Sequence, residues 1–296
     1  MQAFPKIFAM GTRYIADILK EEVEVTEKVD GSQFGFGKID GEVICRSKGK
    51  IQPLDNPDKM FKEAVEYVLS IEDKLAEGNF YYAEYLQKPK HNNLKYGRIP
   101  NNHLILFGVR EPDGGFVSKH YLLEAYADIL GIEVVPLLHD GMLTVEQLEG
   151  LLDRDSVLGE AKIEGFVVKN YNRPFMLGDV PFPLMCGKFV SEQYKEIAKT
   201  WKEGHTSQGK WDIFKQSYKT EARWDKALQH LRDDGKLEEA PRDIGSIIKE
   251  VHRDITEEEI DNIKDFLWKE FGGDLLRVST AGLPEWYKKK LLNQTN

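Results

Sequence analysis

The sequence predicts an α+β fold in which antiparallel sheets flanked by helices precede a small, all-helical C-terminal domain. Up to about residue 190, alternating or β-branched stretches bounded by turn residues indicate strands, with a few amphipathic helices between them. After Trp201, apolar residues recur only at helical spacing. We therefore expect two domains, residues 1–198 and residues 199–296, joined by a polar linker at Gly204–Gly209.

The composition excludes several classes of protein. No run approaches eighteen apolar residues, so no membrane span is expected. Cys45 and Cys186 are too few for a disulfide framework or a zinc site, and the N-terminus lacks the apolar segment of a signal peptide. We therefore expect a cytoplasmic protein.

The formal net charge of −9 argues against indiscriminate binding of nucleic acid. A local basic groove is still compatible with this total, and a scattered, solvated set of cations is the alternative. The candidates for such a groove are Lys48, Lys50, Lys88, Lys90, Lys95 and Arg98.

The stretch Glu27-Lys28-Val29-Asp30-Gly31 lies between two alternating segments and is the first candidate for chemistry. A lysine at the end of a strand, with a glycine just behind it, can reach a cleft that the backbone lines closely. If burial and nearby cations lower the pKa of its amine, the amine becomes a nucleophile, a role that arginine cannot take. A solvated hairpin end is the alternative for so short a pattern.

The elements that follow build a sheet beside this lysine. Asp40-Gly41 suits a type I′ hairpin turn and joins the strand after Lys28 to a strand that contains Arg46. An amphipathic helix over roughly residues 57–77 is expected to serve core packing only.

The next strand, Phe80–Gln87, carries a carboxylate on an apolar face. Alternation places Glu84 on the same face as Phe80 and Tyr82, where it needs a ligand hydroxyl, a metal or a cation as partner. A structural ion pair is the simpler explanation. Phe107 lies in the apolar strand after that, a helix then ends at Gly131, and Thr144 with Gln147 predicts a capping box.

Two later stretches add further charged residues to apolar strands. Glu164 heads the strand Ile163–Lys169, and Lys169 ends it. In a regular strand these two side chains would face opposite sides, so we expect a bend or bulge at Gly165 if both reach one site. Lys188 lies among apolar neighbours, where an unpaired charge is costly.

Beyond residue 210 the spacing predicts helices near residues 220–231, 243–252, 257–271 and 284–292. Thr256 with Glu259 predicts a capping box, and Gly272-Gly273 is expected to end the third of these helices. The last helix carries Lys288-Lys289-Lys290 beside Trp286 and Tyr287, which suits contact with phosphates and bases, although a solvated helix end is the commoner meaning of three lysines.

In their order along residues 20–198, these stretches resemble the covalent nucleotidyltransferase superfamily of polynucleotide ligases and mRNA capping enzymes. The matching motifs are Lys28-Val29-Asp30-Gly31, Glu84 in its strand, Glu164 through Lys169, and Lys188 with Tyr194 and Glu196. The Glu27-Lys28 pair, the early nucleophile and the helical tail are similar to the ATP-dependent RNA ligases of the second phage type and their bacterial relatives.

The resemblance implies a nucleotidyltransferase domain and a role for each matching residue. Lys28 would attack the α-phosphorus of ATP and hold AMP, with Lys169 and Lys188 on the α-phosphate. Glu84 would bind the ribose hydroxyls. The remaining nucleotide-site residues would be Glu27 beside the nucleophile, Phe107 stacked on adenine, Arg46 on the nucleotide and the RNA 5′-phosphate, and Glu164, which would also help hold Mg²⁺ or Mn²⁺.

One departure from the family pattern concerns Lys188. The last motif of the family usually carries two lysines separated by one residue. In this chain the positions two residues before and two residues after Lys188 are Cys186 and Val190. Registering the motif on Tyr194 and Glu196 makes Lys188 the first lysine, and the other register makes it the second. In both registers one expected cation is missing from that strand face.

The expected activity is the joining of an RNA 3′-hydroxyl to a 5′-phosphate, with ATP as co-substrate and RNA ends as partners, either in a nicked duplex or on single strands. A monomer is favoured. The alternatives are a DNA ligase or GTP-dependent capping enzyme, which the lack of a recognisable β-barrel after Lys188 disfavours, and an inactive relative that only binds RNA ends.

Overall fold

The structure is a computed structural model and describes residues 4–10, 12–92, 94–173, 175–177, 180–190, 211, 214–216 and 218–294. Tyr194, Glu196 and the Gly204–Gly209 linker lie outside the described residues, as does the boundary expected near residue 198. None of the described helices is long and apolar enough to cross a membrane.

The predicted α+β class is confirmed, because two mostly antiparallel sheets are followed by helices. The strands are β1 (Phe8–Ala9), β2 (Val23–Lys28), β3 (Ser32–Ile39), β4 (Glu42–Ser47), β5 (Ile51–Gln52), β6 (Phe80–Tyr85), β7 (Leu104–Arg110), β8 (Glu133–Val134), β9 (Leu137–Gly141), β10 (Gly165–Asn170), β11 (Phe175–Leu177), β12 (Val180–Phe182) and β13 (Met185–Val190). The described helices are α1 (Lys62–Ser70), α2 (His120–Leu130), α3 (Val145–Glu149), α4 (Glu221–Asp233), α5 (Ile244–Glu258), α6 (Ile260–Ser279) and α7 (Leu283–Gln294).

The first sheet has the strand order β1-β13-β10-β2-β9. In its register Gly165 lies opposite Lys28 on one side and Val190 on the other, and Val167 lies opposite Lys188. Directly opposed residues share a face, and so do residues two apart along a strand. Lys28, Lys169 and Lys188 therefore lie on one face, and the opposite face packs on an apolar core that includes Val25, Phe166 and Phe189.

The second sheet has the strand order β5-β4-β3-β6-β7-β8 and, like the first, has one apolar face and one face that carries polar residues. One face packs against α1 and α2 through a large core whose members include Phe34, Phe36, Val65, Tyr81 and Leu123. The other face carries Arg46, Tyr82 and Glu84, as alternation along β4 and β6 requires. Tyr82 packs with Cys186 of the first sheet, so the polar faces of the two sheets enclose a common cleft.

Three local predictions are confirmed. Asp40 and Gly41 have φ values of +52° and +79°, as a type I′ turn requires. Gly131 ends α2 in the left-handed region at φ +67°. Thr144 and Gln147 form the reciprocal hydrogen bonds of a capping box at the start of α3.

The helix predicted over residues 57–77 is wrong in extent. The α-helix spans only Lys62–Ser70, with short 3-10 turns before and after it. The Asp58 carboxylate binds Lys50 and Gln52, and its backbone N–H donates to Gln52 Oε1, so this segment packs against β5 rather than starting the helix.

Two predictions about the C-terminal helices are also wrong. Thr256 does not cap a helix but lies inside α5, where its hydroxyl donates to the His252 carbonyl at 2.8 Å. Helix α5 ends at Glu258, and Glu259 separates it from α6. Helix α6 continues through Gly272-Gly273 to Ser279. A Cβ atom at Gly272 would lie 3.0 Å from the Trp268 ring, so this glycine makes room for the indole within the helix.

Candidate active site

The end of β2 brings a lysine and a glutamate together. Lys28 Nζ donates to Glu164 Oε2 at 2.5 Å, and the two side chains are 27% and 19% exposed. Because β10 begins at Gly165, opposite Lys28, Glu164 belongs to the connection before the strand. Its direction is therefore not set by strand alternation, and it can reach the lysine face.

The bulge expected at Gly165 is wrong. Described strand β10 pairs with β2 and with β13 without a shift in register. Gly165 is required for another reason: a Cβ atom there would lie 1.9 Å from the Phe189 carbonyl oxygen. The glycine thus permits the close packing of β10 on β13 that sets Glu164 beside Lys28.

Glu84 reaches the same cleft from the second sheet. A Cβ atom at Gly31 would lie 2.7 Å from Glu84 Cγ and 2.7 Å from the Tyr85 carbonyl oxygen, so the turn after Lys28 closes onto β6 only because residue 31 has no side chain. Burial, together with the nearby Glu164 and Asp30 carboxylates, outweighs the attraction of Lys28 and raises the pKa of Glu84 to about 8.

The pKa of Lys28 does not shift in the expected direction. Burial favours a lower pKa, but the carboxylates of Glu164, Glu84 and Asp30 outweigh burial and raise it. The condition stated for nucleophilicity, a lowered pKa of Lys28, is therefore not met by the groups that surround this amine. The amine is held as an ammonium by the three acids around it.

Asp30 is a residue whose role the sequence did not predict. It is 6% exposed, and its Oδ2 atom accepts a hydrogen bond from the Leu94 N–H at 2.8 Å, while its own N–H donates to the Tyr96 hydroxyl at 2.8 Å. Asp30 therefore fastens the loop after β6 to the end of β2. The sequence singled out Asp30 only as part of the Lys28-to-Gly31 stretch. It did not indicate the hydrogen bond with Leu94, which lies 64 residues away in the chain.

Glu27 lies on the opposite strand face from Lys28. Its Oε1 atom accepts from the Ser156 hydroxyl at 2.5 Å and its Oε2 atom from the Val157 N–H at 3.1 Å. Burial raises the pKa of this carboxyl, although both hydrogen bonds oppose the shift. Glu27 thus anchors the loop before β10, and its contact with nucleotide stays a prediction.

Phe107 occupies a bulge in β7. Tyr82 pairs with Gly108 while Ala83 pairs with Leu106, so Phe107 is the extra residue between them. The bulge directs its ring into the space between the sheets, 5.0 Å from the Phe4 ring and edge to face with it. The irregularity expected at Gly165 is thus found in the facing sheet.

Lys169 lies deep in the cleft and away from the Lys28 cluster. Its Nζ atom donates to the Phe107 carbonyl at 2.5 Å, and it is 1% exposed. It lies four residues along β10 from Gly165, about 13 Å from the level of Lys28. Burial lowers its pKa, with Cys186 and Glu24 opposing the shift. A cavity of about 310 Å³ opens beside this end of the cleft.

Lys188 lies at the Lys28 end of the cleft and touches the C-terminal helices. Its Nζ atom is 3.4 Å from Glu258 Oε2, and Lys48, just after β4, forms an ion pair with the same carboxylate. Burial and the neighbouring amines of Lys28, Lys226 and Lys48 lower the pKa of Lys188 to about 8, against the attraction of Glu259.

The positions on either side of Lys188 carry no cation, as the sequence indicated. Cys186 is fully buried and packs with Phe4 and Tyr82, and burial raises the pKa of its thiol to about 12. Tyr194 and Glu196, on which the register of the Lys188 motif depended, are outside the described part of the chain.

Arg46 lies on the cleft face of β4, where its guanidinium donates to the carbonyls of Ser47 and Lys48 at 3.1 Å each.

Two candidates for a basic groove serve structural ion pairs. Arg98 binds both oxygens of Glu133, at 2.6 and 2.8 Å, and Lys50 lies 2.8 Å from Asp58. Lys88, Lys90 and Lys95 are exposed. Only Lys48 among these candidates contributes to the cluster at Lys188.

The carboxylates around Lys28 fit a divalent cation that substrate phosphates help to hold. Burial raises the pKa values of both Glu84 and Glu164 against the attraction of Lys28; Asp30 raises both further, and Glu164 raises that of Glu84, so a bound cation would relieve this repulsion. Within the described residues no three acidic, histidine or cysteine side chains form a metal cluster of their own. Mg²⁺ often uses only one or two carboxylates together with water and phosphate oxygens.

Comparison with protein families identifies the family to which the chain that carries this site belongs. The family model described as RNA ligase matches residues 21–181, more than half of the chain. The chain belongs to the RNA ligase family. The match begins just before β2 and includes Lys28, Glu84, Phe107, Glu164 and Lys169, whereas Lys188 and the C-terminal helices lie beyond it.

Solved structures similar to this RNA ligase family member come from an RNA ligase of Naegleria gruberi. The form with PPi has a TM-score of 0.47 and 19% identity, and the apo form of a point mutant has a TM-score of 0.49 and 18% identity. Each alignment covers 67% of this chain and 58% of that chain, so this chain spans less than two thirds of their length. No curated protein matches the sequence.

Proposed function

We propose that this protein is an ATP-dependent RNA ligase that joins a 3′-hydroxyl to a 5′-phosphate through lysyl-AMP and RNA-adenylate intermediates. The observation that carries the proposal is the arrangement at the end of β2. Lys28 projects between two sheets, with Glu164 at 2.5 Å and Glu84 facing it across Gly31. Membership of the RNA ligase family supports the same function.

In the first step, Lys28 Nζ gives up a proton and its lone pair attacks the α-phosphorus of ATP. A P–N bond forms, the bond to the β-phosphate oxygen breaks, and pyrophosphate leaves with that bond's electrons. Glu164 Oε2 is the nearest described acceptor for the proton. Because the surrounding carboxylates raise the pKa of Lys28, their neutralisation by bound cations favours the free amine.

The facing sheet would hold the nucleoside. Glu84 is a carboxyl whose pKa of about 8 lets it exchange hydrogen bonds with ribose hydroxyls in either protonation state. The Phe107 ring packs against the cluster of Phe4, Tyr82 and Cys186 and would offer a stacking surface for adenine. Together these residues place the α-phosphate next to Lys28.

The cationic side chains of Arg46 in β4 and Lys188 in β13 would bind the phosphates. Lys188 lies on the same sheet face as Lys28, and Arg46 lies across the cleft on the second sheet. Phosphoryl transfer depends mainly on positioning and on charges aimed at the phosphate oxygens. Lys169 faces the deeper end of the cleft, so its contact with the α-phosphate requires the nucleotide to extend in that direction.

A divalent metal, Mg²⁺ or Mn²⁺, would be held by Glu164, with Glu84 nearby, and would offset the negative charge of the phosphates. The protein's own contribution is to hold these carboxylates within reach of Lys28. Gly31 and Gly165 make this approach possible.

In the second step, a 5′-phosphate oxygen of RNA would attack the AMP phosphorus, which breaks the P–N bond and returns the electrons and a proton to Lys28. In the third, the 3′-hydroxyl would attack the 5′-phosphorus, forming the phosphodiester and releasing AMP. We propose that residues 1–198 supply the nucleotide chemistry and residues 199–296 assist in binding RNA ends in the cytoplasm.

The test is incubation of the full chain with α-³²P-labelled ATP or GTP and a divalent metal, followed by a denaturing gel. We expect label from ATP on the protein, then its transfer to 5′-phosphorylated RNA and closure of the strand. Label from GTP alone would indicate a capping-type enzyme, and sealing of DNA in place of RNA would indicate a DNA ligase. Binding of RNA ends with no label from either nucleotide would indicate an inactive relative.

A further inference from the structure

The carboxylate of Glu258 lies between two lysines that come from different sheets. Lys48 follows β4 in the second sheet, and Lys188 lies on β13 in the first. Both form ion pairs with Glu258, at 3.4 Å for Lys188, although Glu258 belongs to the last turn of α5 in the helical region. One carboxylate thus joins both walls of the cleft at the end where Lys28 lies.

The charges around Glu258 form a site that suits a more highly charged anion. Lys28, Lys48 and Lys226 all lie close enough to Lys188 to lower its pKa. Amines brought this close repel one another unless an anion lies among them. Lys28 is paired with Glu164 and Lys226 with Asp254, whereas Lys48 and Lys188 share the one carboxylate of Glu258. A phosphate or a polyphosphate chain would supply more negative charge and more acceptor oxygens to these two lysines.

The position of Glu258 is unfavourable for its own helix. Three successive glutamates, Glu257–Glu259, occupy the C-terminal end of α5, where the helix dipole disfavours negative charge. Each has a cationic partner elsewhere: Arg253 for Glu257, Arg223 for Glu259, and the two cleft lysines for Glu258. The ion-pair partners of Glu257 and Glu259 belong to the helical region itself, whereas those of Glu258 are the cleft lysines, although Glu259 also attracts Lys188 and Glu257 attracts Lys48 at longer range.

We propose that Glu258 is an internal competitor of substrate phosphate: it occupies the phosphate-binding position between Lys48 and Lys188, and phosphate must displace it. This inference rests on the proposed function, because it assigns the anion that these lysines take as a substrate phosphate. Displacement breaks the contact between the end of α5 and the cleft. The helical region therefore sets the concentration of ATP at which Lys28 is labelled.

The test compares Glu258→Gln with Glu257→Gln in the full chain. Glutamine keeps the shape of the side chain but removes the competing charge. Glu257 is the matched control, because it is one residue away, 56% exposed and ion-paired with Arg253, and it attracts Lys48 only at longer range. Inorganic tripolyphosphate is the probe for binding, by calorimetry, and labelling at a series of ATP concentrations is the second readout.

We expect Glu258→Gln to bind tripolyphosphate about three- to tenfold more tightly than the parent protein, and to be half-maximally labelled at a correspondingly lower ATP concentration. Glu257→Gln should change either value by less than about twofold. Glu258→Ala, with its fold checked by thermal unfolding, repeats the comparison without the amide.

The outcomes separate this inference from the proposed function. Equal affinity of the parent and both Glu258 variants for tripolyphosphate overturns the inference, even if all three are labelled by ATP. Absence of tripolyphosphate binding in every variant overturns it as well. Tighter tripolyphosphate binding by the Glu258 variants, without label in any of them, supports the contact but refutes the adenylylation chemistry.

Discussion

Lys28 Nζ and Glu164 Oε2 lie 2.5 Å apart, at the point where β2 ends and β10 begins. The two residues are 136 positions apart in the chain, and only the pairing of Lys28 with Gly165 brings them together. A half-buried ammonium with three acids around it is unreactive until its proton is removed. The contact with Glu164 therefore stabilises the protonated form of Lys28 and places a carboxylate that can accept its proton next to it.

Substitution of Lys28 tests the central assignment. Lys28→Arg should keep the positive charge beside Glu164 and so preserve the fold, but it should abolish the ATP-labelled band, because a guanidinium is not a nucleophile at accessible pH. Lys28→Ala should behave in the same way. Lys38→Ala is the control, since Lys38 pairs with Glu72 away from the cleft and should retain labelling. Persistent label in Lys28→Arg would remove the proposal.

The rate of labelling should rise with pH. The pKa of Lys28 is raised by Glu164, Glu84 and Asp30, so the reactive free amine becomes more abundant as pH increases from neutral into the alkaline range. Glu164→Gln removes the first of these carboxylates, which should move the midpoint of the pH profile to lower pH while reducing the maximal rate. Because the ordinary lysine pKa of 10.5 is raised here, single-turnover labelling must extend from pH 6 to above pH 11 to measure both values, and an unmoved midpoint would contradict the role of Glu164.

Glu84 should make the protein's stability depend on pH. Its pKa is raised from an ordinary 4.5 to about 8 by burial and the neighbouring carboxylates, so the folded protein holds this proton more tightly than the unfolded chain does. The free energy of unfolding should therefore fall as pH rises from about 4.5 to about 8. Glu84→Gln has no such proton and should become more stable than the parent by about 1–2 kcal/mol at the upper end.

Thermal unfolding at several pH values checks this expectation. The difference in Tm between Glu84→Gln and the parent should grow by a few degrees in favour of the variant as pH rises through that window. Glu285→Gln removes an exposed carboxylate of α7 and serves as the control. A difference in Tm that is constant with pH would show that Glu84 does not carry this linkage.

Two glycines should respond oppositely to alanine. Gly165→Ala would place a Cβ atom 1.9 Å from the Phe189 carbonyl and should destabilise the protein by about 3 kcal/mol or more. Gly273 lies within α6 with no atom near its potential Cβ, so Gly273→Ala should stabilise by about 0.5–1 kcal/mol. Denaturant unfolding measures both, and a neutral Gly165→Ala would contradict the close packing of β10 on β13.

The sequence predicted that Lys28, Glu84 and Glu164 share one cleft better than it predicted how they meet. Glu84 and Glu164 were identifiable because each is an acid in or before an apolar strand, where burial without a partner is costly. The bulge was placed at Gly165 because strand alternation was assumed to include Glu164. The strand instead begins one residue later, and its first residue is glycine because of a neighbouring strand that the local sequence does not specify.

Long-range packing also explains the errors in the helical region. Thr256 and Glu259 have the spacing of a capping box, but Thr256 bonds the carbonyl four residues earlier and Glu259 pairs with Arg223. Gly272 continues a helix because the Trp268 indole fills the space above it. The contact of Glu258 with the cleft had no local signal, since a glutamate at the end of a polar helix is normally solvated.

The last prediction concerns the division of labour between the two parts of the chain. Residues 1–198 include every side chain assigned to the nucleotide, so a chain cut after residue 198 should still form enzyme–AMP. That chain also lacks Glu258, so Lys48 and Lys188 are no longer paired with it, and labelling should not need more ATP than the parent requires. Denaturing gels after incubation with labelled ATP measure this directly.

Sealing of RNA should depend on the missing helices. In α7 the Trp286 and Tyr287 rings are 59% and 52% exposed, and Lys290 Nζ lies 5.1 Å from the Trp286 ring centroid, which suits contact with bases and phosphates. The truncation should therefore lower sealing of 5′-phosphorylated RNA at least about tenfold, roughly 1.4 kcal/mol. Joint substitution of Lys288, Lys289 and Lys290 by glutamine in the full chain should lower sealing in the same direction without changing enzyme–AMP formation. The comparison requires a truncated protein whose cooperative unfolding shows that it is folded, and equal sealing by that protein and the full chain would assign the helices to stability rather than to RNA.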